Sequence, residues 1–265
     1  MSTDKGTDVN YVFPLSYNII FNKVHLVFFG NKNTYKLSLE RLKKEALNFG
    51  FHEDKIHRYT EDDLPEDFKL KHKCRETRAY GYYMWKPYVI LDAISKIKSN
   101  EILVYVDCGC SINNQGMERF LHYMTLMQNH DILCCNTRFF PDSSKRYLEK
   151  SWTKYDLISY MNAERFNDTV QICTGFNIYK NTAFSKTFLE KWLHIGALHN
   201  CHFSNDDQSK IKNDTSFSEH RHDQSIFSLL VKTNNENKNI ICLEDEIVYT
   251  INNKKFPFWA TRIRR

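Results

Sequence analysis

The stretch Glu101-Ile-Leu-Val-Tyr-Val-Asp107-Cys-Gly109-Cys-Ser111 decides the fold. Ile102 to Val106 is an unbroken apolar run without helical spacing, which predicts a strand buried on both faces, as in a parallel sheet covered by helices. The run ends on a carboxylate and a small-residue turn, Cys108 to Ser111. Ligands of open α/β sheets bind beyond the carboxyl ends of the strands, so Asp107 is expected in a cleft. A carboxylate there can hold a divalent cation that bridges phosphates or accept a ribose hydroxyl, or it can simply cap the following turn. Gly109 allows close approach of a ligand to the backbone.

Upstream of this strand, Val89, Ile90, Ala93, Ile94 and Ile97 form a helical stripe that starts near Pro87. Further back, Val24 to Phe29 reads as a first strand ending at Gly30-Asn31. A helix with Leu37, Leu42, Ala46 and Leu47 follows, then a second strand at Ile56 to Tyr59, which together open a β-α-β unit. Downstream, helices are predicted over 117–128, 152–161, 185–198 and 223–232, and strands over 132–135, 175–179 and 240–243. The polar stretch 200–219 shows no periodicity and is expected to be a mobile loop, while 1–22 reads as an N-terminal extension. The whole is expected to be one domain, 1–265.

Two further segments carry chemistry. Arg78-Ala-Tyr-Gly-Tyr82-Tyr83-Met-Trp85-Lys86-Pro87 sets two cations and four aromatics ahead of a helix N-terminus, a combination suited to a diphosphate, with Tyr82 or Trp85 stacking on a base or sugar. His220-Arg-His222-Asp223-Gln224-Ser225 opens an apolar helix and can position a hydroxyl and accept its proton, although Asp223 or Ser225 also suits a plain helix cap. His194, His199, Cys201, His202, His220 and His222 match no closed zinc spacing and read as surface groups in a polar loop.

The composition, with a formal net charge of +5, 42% hydrophobic and 26% charged residues, fits a globular chain without a dedicated nucleic-acid coat. The eight cysteines include no C-x-x-C pair, which favours a reducing compartment; no signal peptide or membrane span is legible, so a cytoplasmic site is expected, the host cytoplasm if the source is viral. Lys69, Lys71, Lys73, Arg75 and Arg78 interleaved with Tyr80, Tyr82, Tyr83 and Trp85 leave a single-stranded nucleic-acid module as a competing reading, which Asp107 and Asp223 oppose.

In order along the chain, Arg78 to Pro87, Ile102 to Asn113, Ser151 to Asp156, Thr174-Gly175-Phe176 and Arg221 to Leu230 resemble small GT-A-type glycosyltransferases and glycosyltransferase-like proteins of bacteria and large DNA viruses. The resemblance implies one Rossmann-like α/β domain with a mostly parallel central sheet flanked by helices. It also implies transfer of a sugar from a UDP- or GDP-linked donor to a hydroxyl of a glycan or other acceptor. On this basis Gly30, Asn31 and Tyr59 face the nucleoside, Arg78 and Lys86 the diphosphate, and Thr174-Gly175 the sugar and acceptor. His222, Asp223 and Gln224 lie near the anomeric carbon, with Asp223 as candidate base if the reaction inverts, or Asp223-Gln224 orienting the substrate or stabilising the transition state if it retains. Asp107 matches the first carboxylate of an Asp-x-Asp metal motif for Mn²⁺ or Mg²⁺, but Gly109 stands where the second would be. That departure leaves metal use open and admits a transferase-like domain that binds without catalysis.

Overall fold

The computed structural model describes residues 19–137, 147–234, 238–247 and 255–263. Its strands are β1 (Val24–Phe29), β2 (Ile56–Tyr59), β3 (Ile102–Val106), β4 (Ser111–Ile112), β5 (Ile132–Cys135), β6 (Phe176–Lys180), β7 (Ile240–Leu243) and β8 (Phe258–Trp259). Six of them form one sheet in the order β2-β1-β3-β6-β5-β7. β1 pairs in parallel with β2 and β3, and β5 with β7, whereas β6 runs antiparallel to both of its neighbours. The sheet is thus mostly parallel, as expected. The reversal of β6 was not legible, because a run buried on both faces looks alike in either direction.

Alternation along the strands sorts the core into two layers. Val24, Leu26, Phe28, Val104 and Val106 pack against α1 (Lys32–Phe49) and, further along the chain, α4 (Met117–Leu126). Val27, Phe29, Leu103 and Tyr105 face the other side. That side is covered by α3 (Trp85–Lys96), α6 (Tyr155–Tyr160), α7 (Ala183–Cys201) and α8 (Asp223–Asn234). Short helices α2 (Glu66–Lys71) and α5 (Glu149–Trp152) complete the set. Period two therefore sends the residue after Val106, Asp107, to the side of α3 and α8.

Several boundaries differ from the sequence reading for identifiable reasons. α1 begins five residues before Leu37, because Asn31 caps it by accepting from the N–H groups of Asn33 and Thr34, a polar turn without an apolar signal. The helix expected over 152–161 is broken at Thr153, which is extended. The stretch 1–22 is not wholly an extension: Phe21 is buried and stacks on Phe120 with centroids 5.5 Å apart.

The polar stretch 200–219 is tied to the body rather than left free of contacts. The buried Lys154 ammonium donates to His202 O at 2.6 Å, Asn205 Oδ1 at 3.0 Å and Asp207 O at 3.1 Å. Asp156 accepts from the backbone of Lys210 and Ile211. His202, His220 and His222 are buried, not surface groups, and hydrogen-bond to Asp156, Phe203 O and Ser204 O respectively. The aromatic tail returns as β8, pairing with β4. Its approach needs Gly116, where a Cβ would lie 2.3 Å from Pro257 N. Arg264 and Arg265 lie outside the described residues.

Buried imidazoles give the fold an acid limit. Burial, reinforced by His25, Lys96 and Lys55, pushes His57 down to about 4, and burial, with Lys71 nearby, does the same to His72. A histidine with a depressed folded-state value contributes stability above its unfolded value near 6.5, and that stability is lost as pH falls towards 4. Asp223, raised to about 6, acts in the opposite sense between its ordinary value and 6, but it is one group against two. Thermal melts are expected to be flat from about pH 8 to about 6.5 and to fall steadily towards pH 4. The fall should be shallower in a His57→Gln/His72→Gln variant; an equal fall in both proteins would refute this assignment.

Candidate active site

The order β2-β1-β3 places a topological switch between β1 and β3, so the loops after these strands, Gly30-Asn31 and Asp107-Cys108-Gly109, edge the same crevice. Asp107 is fixed by the strand next to its own: its N–H donates to O of Gly175, just ahead of β6, at 2.9 Å. Tyr105, two residues earlier and on the same face, donates its hydroxyl to Asp107 Oδ1 at 2.6 Å. A Cβ on Gly175 would lie 3.2 Å from Asp107 Oδ2, so that glycine leaves room for the carboxylate.

Lys86, in the first turn of α3, extends to this carboxylate from the neighbouring layer. Its ammonium lies 3.2 Å from Asp107 Oδ1, 3.2 Å from Asp223 Oδ2 at the start of α8, and 3.1 Å from Thr174 Oγ1. Thr174 in turn donates to Asp223 Oδ2 at 3.2 Å, and Trp192 on α7 donates to the Asp223 backbone carbonyl at 2.9 Å. The Lys86 and Asp223 side chains are 3% and 4% exposed, whereas that of Asp107 is 43% exposed. Burial opposes the charge on Lys86, but Asp107 and Asp223 outweigh it and hold the ammonium above its usual value. Burial lifts Asp223 to about 6, with Lys86 pulling it down and Asp107 pushing it up. The rings of Tyr105, Tyr83 and Trp85 surround the ammonium at 5.5, 5.7 and 5.9 Å.

The chain enters α3 through a strained turn. Ala79, Tyr80, Gly81, Tyr82 and Tyr83 all have φ between 53° and 90°. Left-handed backbone costs a non-glycine residue ~1–2 kcal/mol, so this run persists only because its surroundings fix it. Thr77 Oγ1 accepts from Gly81 N, Arg78 O from Tyr82 N, and Ala79 O from the Trp85 indole. The turn sets Tyr82 against the His222 ring at a centroid distance of 5.1 Å. Burial pushes His222 below its usual value. Its Nδ1–H donates to Ser204 O at 2.9 Å, and its Nε2 faces Asp206 Oδ1 at 3.6 Å.

Of the residues singled out from sequence, Lys86, Asp107, Thr174, Gly175 and Asp223 meet at one point, with Tyr82 and His222 close by. Others are spent on structure. The Tyr59 hydroxyl donates to Asp92 and accepts from Lys96, both on α3, instead of facing a nucleoside. Trp85 stacks on Phe29 at 4.0 Å and is buried. Asn31 caps α1, and a Cβ on Gly30 would collide with Leu39 at 2.9 Å. Gly109 receives the returning tail, its carbonyl accepting from Ile263 N at 2.9 Å. Gln224 donates to Gln171 at 2.8 Å, away from Lys86. Lys86 is already paired with Asp107 and Asp223 and donates to Thr174, whereas Arg78 on the same segment is half exposed and 4.0 Å from Glu219. Lys69 and Arg75 both pair with Glu66, which breaks up the basic stretch read as a nucleic-acid surface.

Trp192 and Asp206 were not singled out from sequence, and Tyr105 and Tyr83 lay within singled-out segments without the contacts they make here. The strand period was a usable signal for Tyr105; Trp192 and Asp206 arrive through long-range packing without one.

No family model matches the sequence, and no curated protein does. Among solved structures, a glycosyltransferase involved in glycosylation of the major capsid of the virus PBCV-1 is 12% identical, with 89% of this chain aligned to 91% of that one at a TM-score of 0.45. Mouse xyloside xylosyltransferase 1 is 11% identical over 86% of this chain and 88% of its own, also at 0.45. Core-mannan synthase A from Aspergillus fumigatus, in a Mn/GDP form, is 10% identical over 83% and 72%, at 0.40. Likeness at this level does not bear on the chemistry. No helix among the described residues is long and apolar enough to cross a membrane.

Removing one partner of a buried ion pair strands the other charge, at a cost of roughly 3–5 kcal/mol. Lys86→Met should therefore lower stability to denaturant by about that amount, and adding Asp223→Asn should recover part of the loss. Strictly additive losses would show that the two side chains do not act as a pair.

Proposed function

We propose that this protein is a glycosyltransferase that moves a sugar from a UDP- or GDP-linked donor to a hydroxyl of a glycan or other acceptor. The observation that supports this most directly is Asp107, a half-exposed carboxylate at the carboxyl end of β3, beside the switch between β1 and β3. Tyr105 and Lys86 both bind its Oδ1, which leaves Oδ2 and the exposed edge to accept a hydroxyl of the donor. Arg78 takes the diphosphate, since Lys86 is buried and already paired with both carboxylates. Asp223, buried and paired, positions Lys86 and hence Asp107. That role replaces the expectation that Asp223 is the base, because a carboxylate 3% exposed behind an ammonium cannot reach an acceptor hydroxyl.

The same Lys86 contacts favour one second reading, a transferase-like protein that binds nucleotide sugar without transferring it. A panel of nucleotide sugars assayed for hydrolysis and for binding separates the two. Turnover by the wild type and its loss by roughly 10–10²-fold in Asp107→Asn are expected, since a hydrogen bond to a charged group contributes about 1.5–3 kcal/mol. The melting temperature of Asp107→Asn should fall by less than that of Lys86→Met, since Lys86 keeps Asp223 and Thr174 as partners. Binding without turnover would select the second reading, and normal turnover by Asp107→Asn would refute the assignment of that residue.

A further inference from the structure

Three oxygens from three separate elements converge near Lys86 Nζ: Asp107 Oδ1 after β3, Asp223 Oδ2 at the start of α8, and Thr174 Oγ1 ahead of β6. Carboxylate and hydroxyl oxygens gathered from distant parts of a chain are the donor set that hard divalent cations take. Here the centre of the set is occupied by a side chain. The Lys86 ammonium donates to Thr174 Oγ1 at 3.1 Å and forms ion pairs with both carboxylates at 3.2 Å.

The ammonium has no way out. Tyr105, Tyr83 and Trp85 stand around it within 5.9 Å, and the side chain is 3% exposed, so its stem cannot swing into water to admit an ion. The entry of the chain into α3 is set by the left-handed turn at 79–83, which fixes where Lys86 starts. The second carboxylate of an Asp-x-Asp pair is also missing: Gly109 is two residues after Asp107, and among the described residues no three His, Cys, Asp or Glu side chains gather in a way that could hold a metal. A divalent ion placed at Asp107 would face a fixed positive charge across the same carboxylate. The residues present do not fit a bound Mn²⁺ or Mg²⁺.

We propose that Lys86 is a built-in cation that takes the place of the metal between Asp107 and Asp223, so that this site binds its nucleotide without a divalent ion. The nucleotide part of this rests on the transferase reading above; the exclusion of metal from the carboxylate pair does not. Formally the site then carries one positive and two negative charges, so the charge of a diphosphate has to be met elsewhere, with Arg78 the nearest half-exposed candidate on the same segment.

Two measurements on the full chain test this. In the first, MnCl₂ is titrated into wild type, Lys86→Ala and Lys86→Ala/Asp107→Asn and free Mn²⁺ is followed by electron paramagnetic resonance. The wild type should show no Asp107-dependent binding. Lys86→Ala should bind Mn²⁺ at least about tenfold more tightly than wild type, because removing a cation from a carboxylate pair frees it for another ion, and the double variant should lose that gain. Wild-type Mn²⁺ binding that disappears in Asp107→Asn would overturn the proposal, as would a folded Lys86→Ala that gains none. If Lys86→Ala does not fold, the wild-type comparison with Asp107→Asn decides alone. In the second, UDP and GDP are added to wild type with EDTA and with MnCl₂, and the thermal shift is read. Equal shifts support the proposal, and a shift that needs Mn²⁺ overturns it. No shift under either condition would count against the nucleotide-sugar reading, leaving the Mn²⁺ titration to judge the role of Lys86.

Discussion

The buried ammonium of Lys86, shared by Asp107 and Asp223, is the interaction on which this end of the molecule depends. Taking the Lys86 and Asp223 charges out of water is costly, and the cost is offset only when every partner is in place. The partners come from α3, the end of β3, the loop before β6 and the start of α8. The site edge can therefore form only after these four pieces have docked, which couples the geometry of the half-exposed Asp107 to the completeness of the fold. The left-handed run at 79–83 belongs to the same constraint, since its strain is held in place by contacts that also aim Lys86 at the carboxylates.

A second buried pair steadies α8 from its other side. Glu149, fully buried, accepts from Lys232 Nζ at 2.6 Å, from Thr153 Oγ1 at 2.7 Å and from Ser228, while Gln171 bridges Thr153, Ser225 and Gln224. Polar groups in such a network are stabilising when all are satisfied and costly when one is not. Lys154, which holds the backbone of 202–207, and Asp156, which accepts from the backbone of Lys210 and Ile211, account for why a stretch as polar as 200–219 lies against the body. The tail closes the opposite layer, where Arg41 donates to Cys108 O and Cys110 O and Ser38 to Ile263 O, fixing the turn that follows Asp107.

Much of the fold was legible because its signals are local. β1, β2, β5 and β7 fall on the residues predicted from apolar runs bounded by polar turns, and Asp107 lies where a strand of that kind opens into a crevice. The pairing of Lys86 with Asp107 and Asp223 was not legible, since it joins residues 21 and 137 positions apart in sequence and the 3.6 and 2.0 periods carry no information on such contacts. The same limit explains Tyr59 and Trp85. Each is an aromatic near a strand or helix end, the type of residue that stacks on ligands, yet one has its hydroxyl held by α3 and the other lies on Phe29. The buried histidines show the converse error: a polar composition predicted exposure, but each imidazole found a carbonyl or carboxylate partner inside.

The central claim is that a charged lysine is locked between two carboxylates, and the side-chain ammonium itself reports on it. In a ¹H–¹⁵N correlation spectrum of the lysine ammonium groups at neutral pH, exposed lysines exchange with water and broaden, whereas a buried, fully bonded ammonium persists. The account predicts a persistent resonance that disappears in Lys86→Arg and shifts in Asp223→Asn. The absence of any Lys86-dependent resonance, or one that is unmoved by Asp223→Asn, would contradict it.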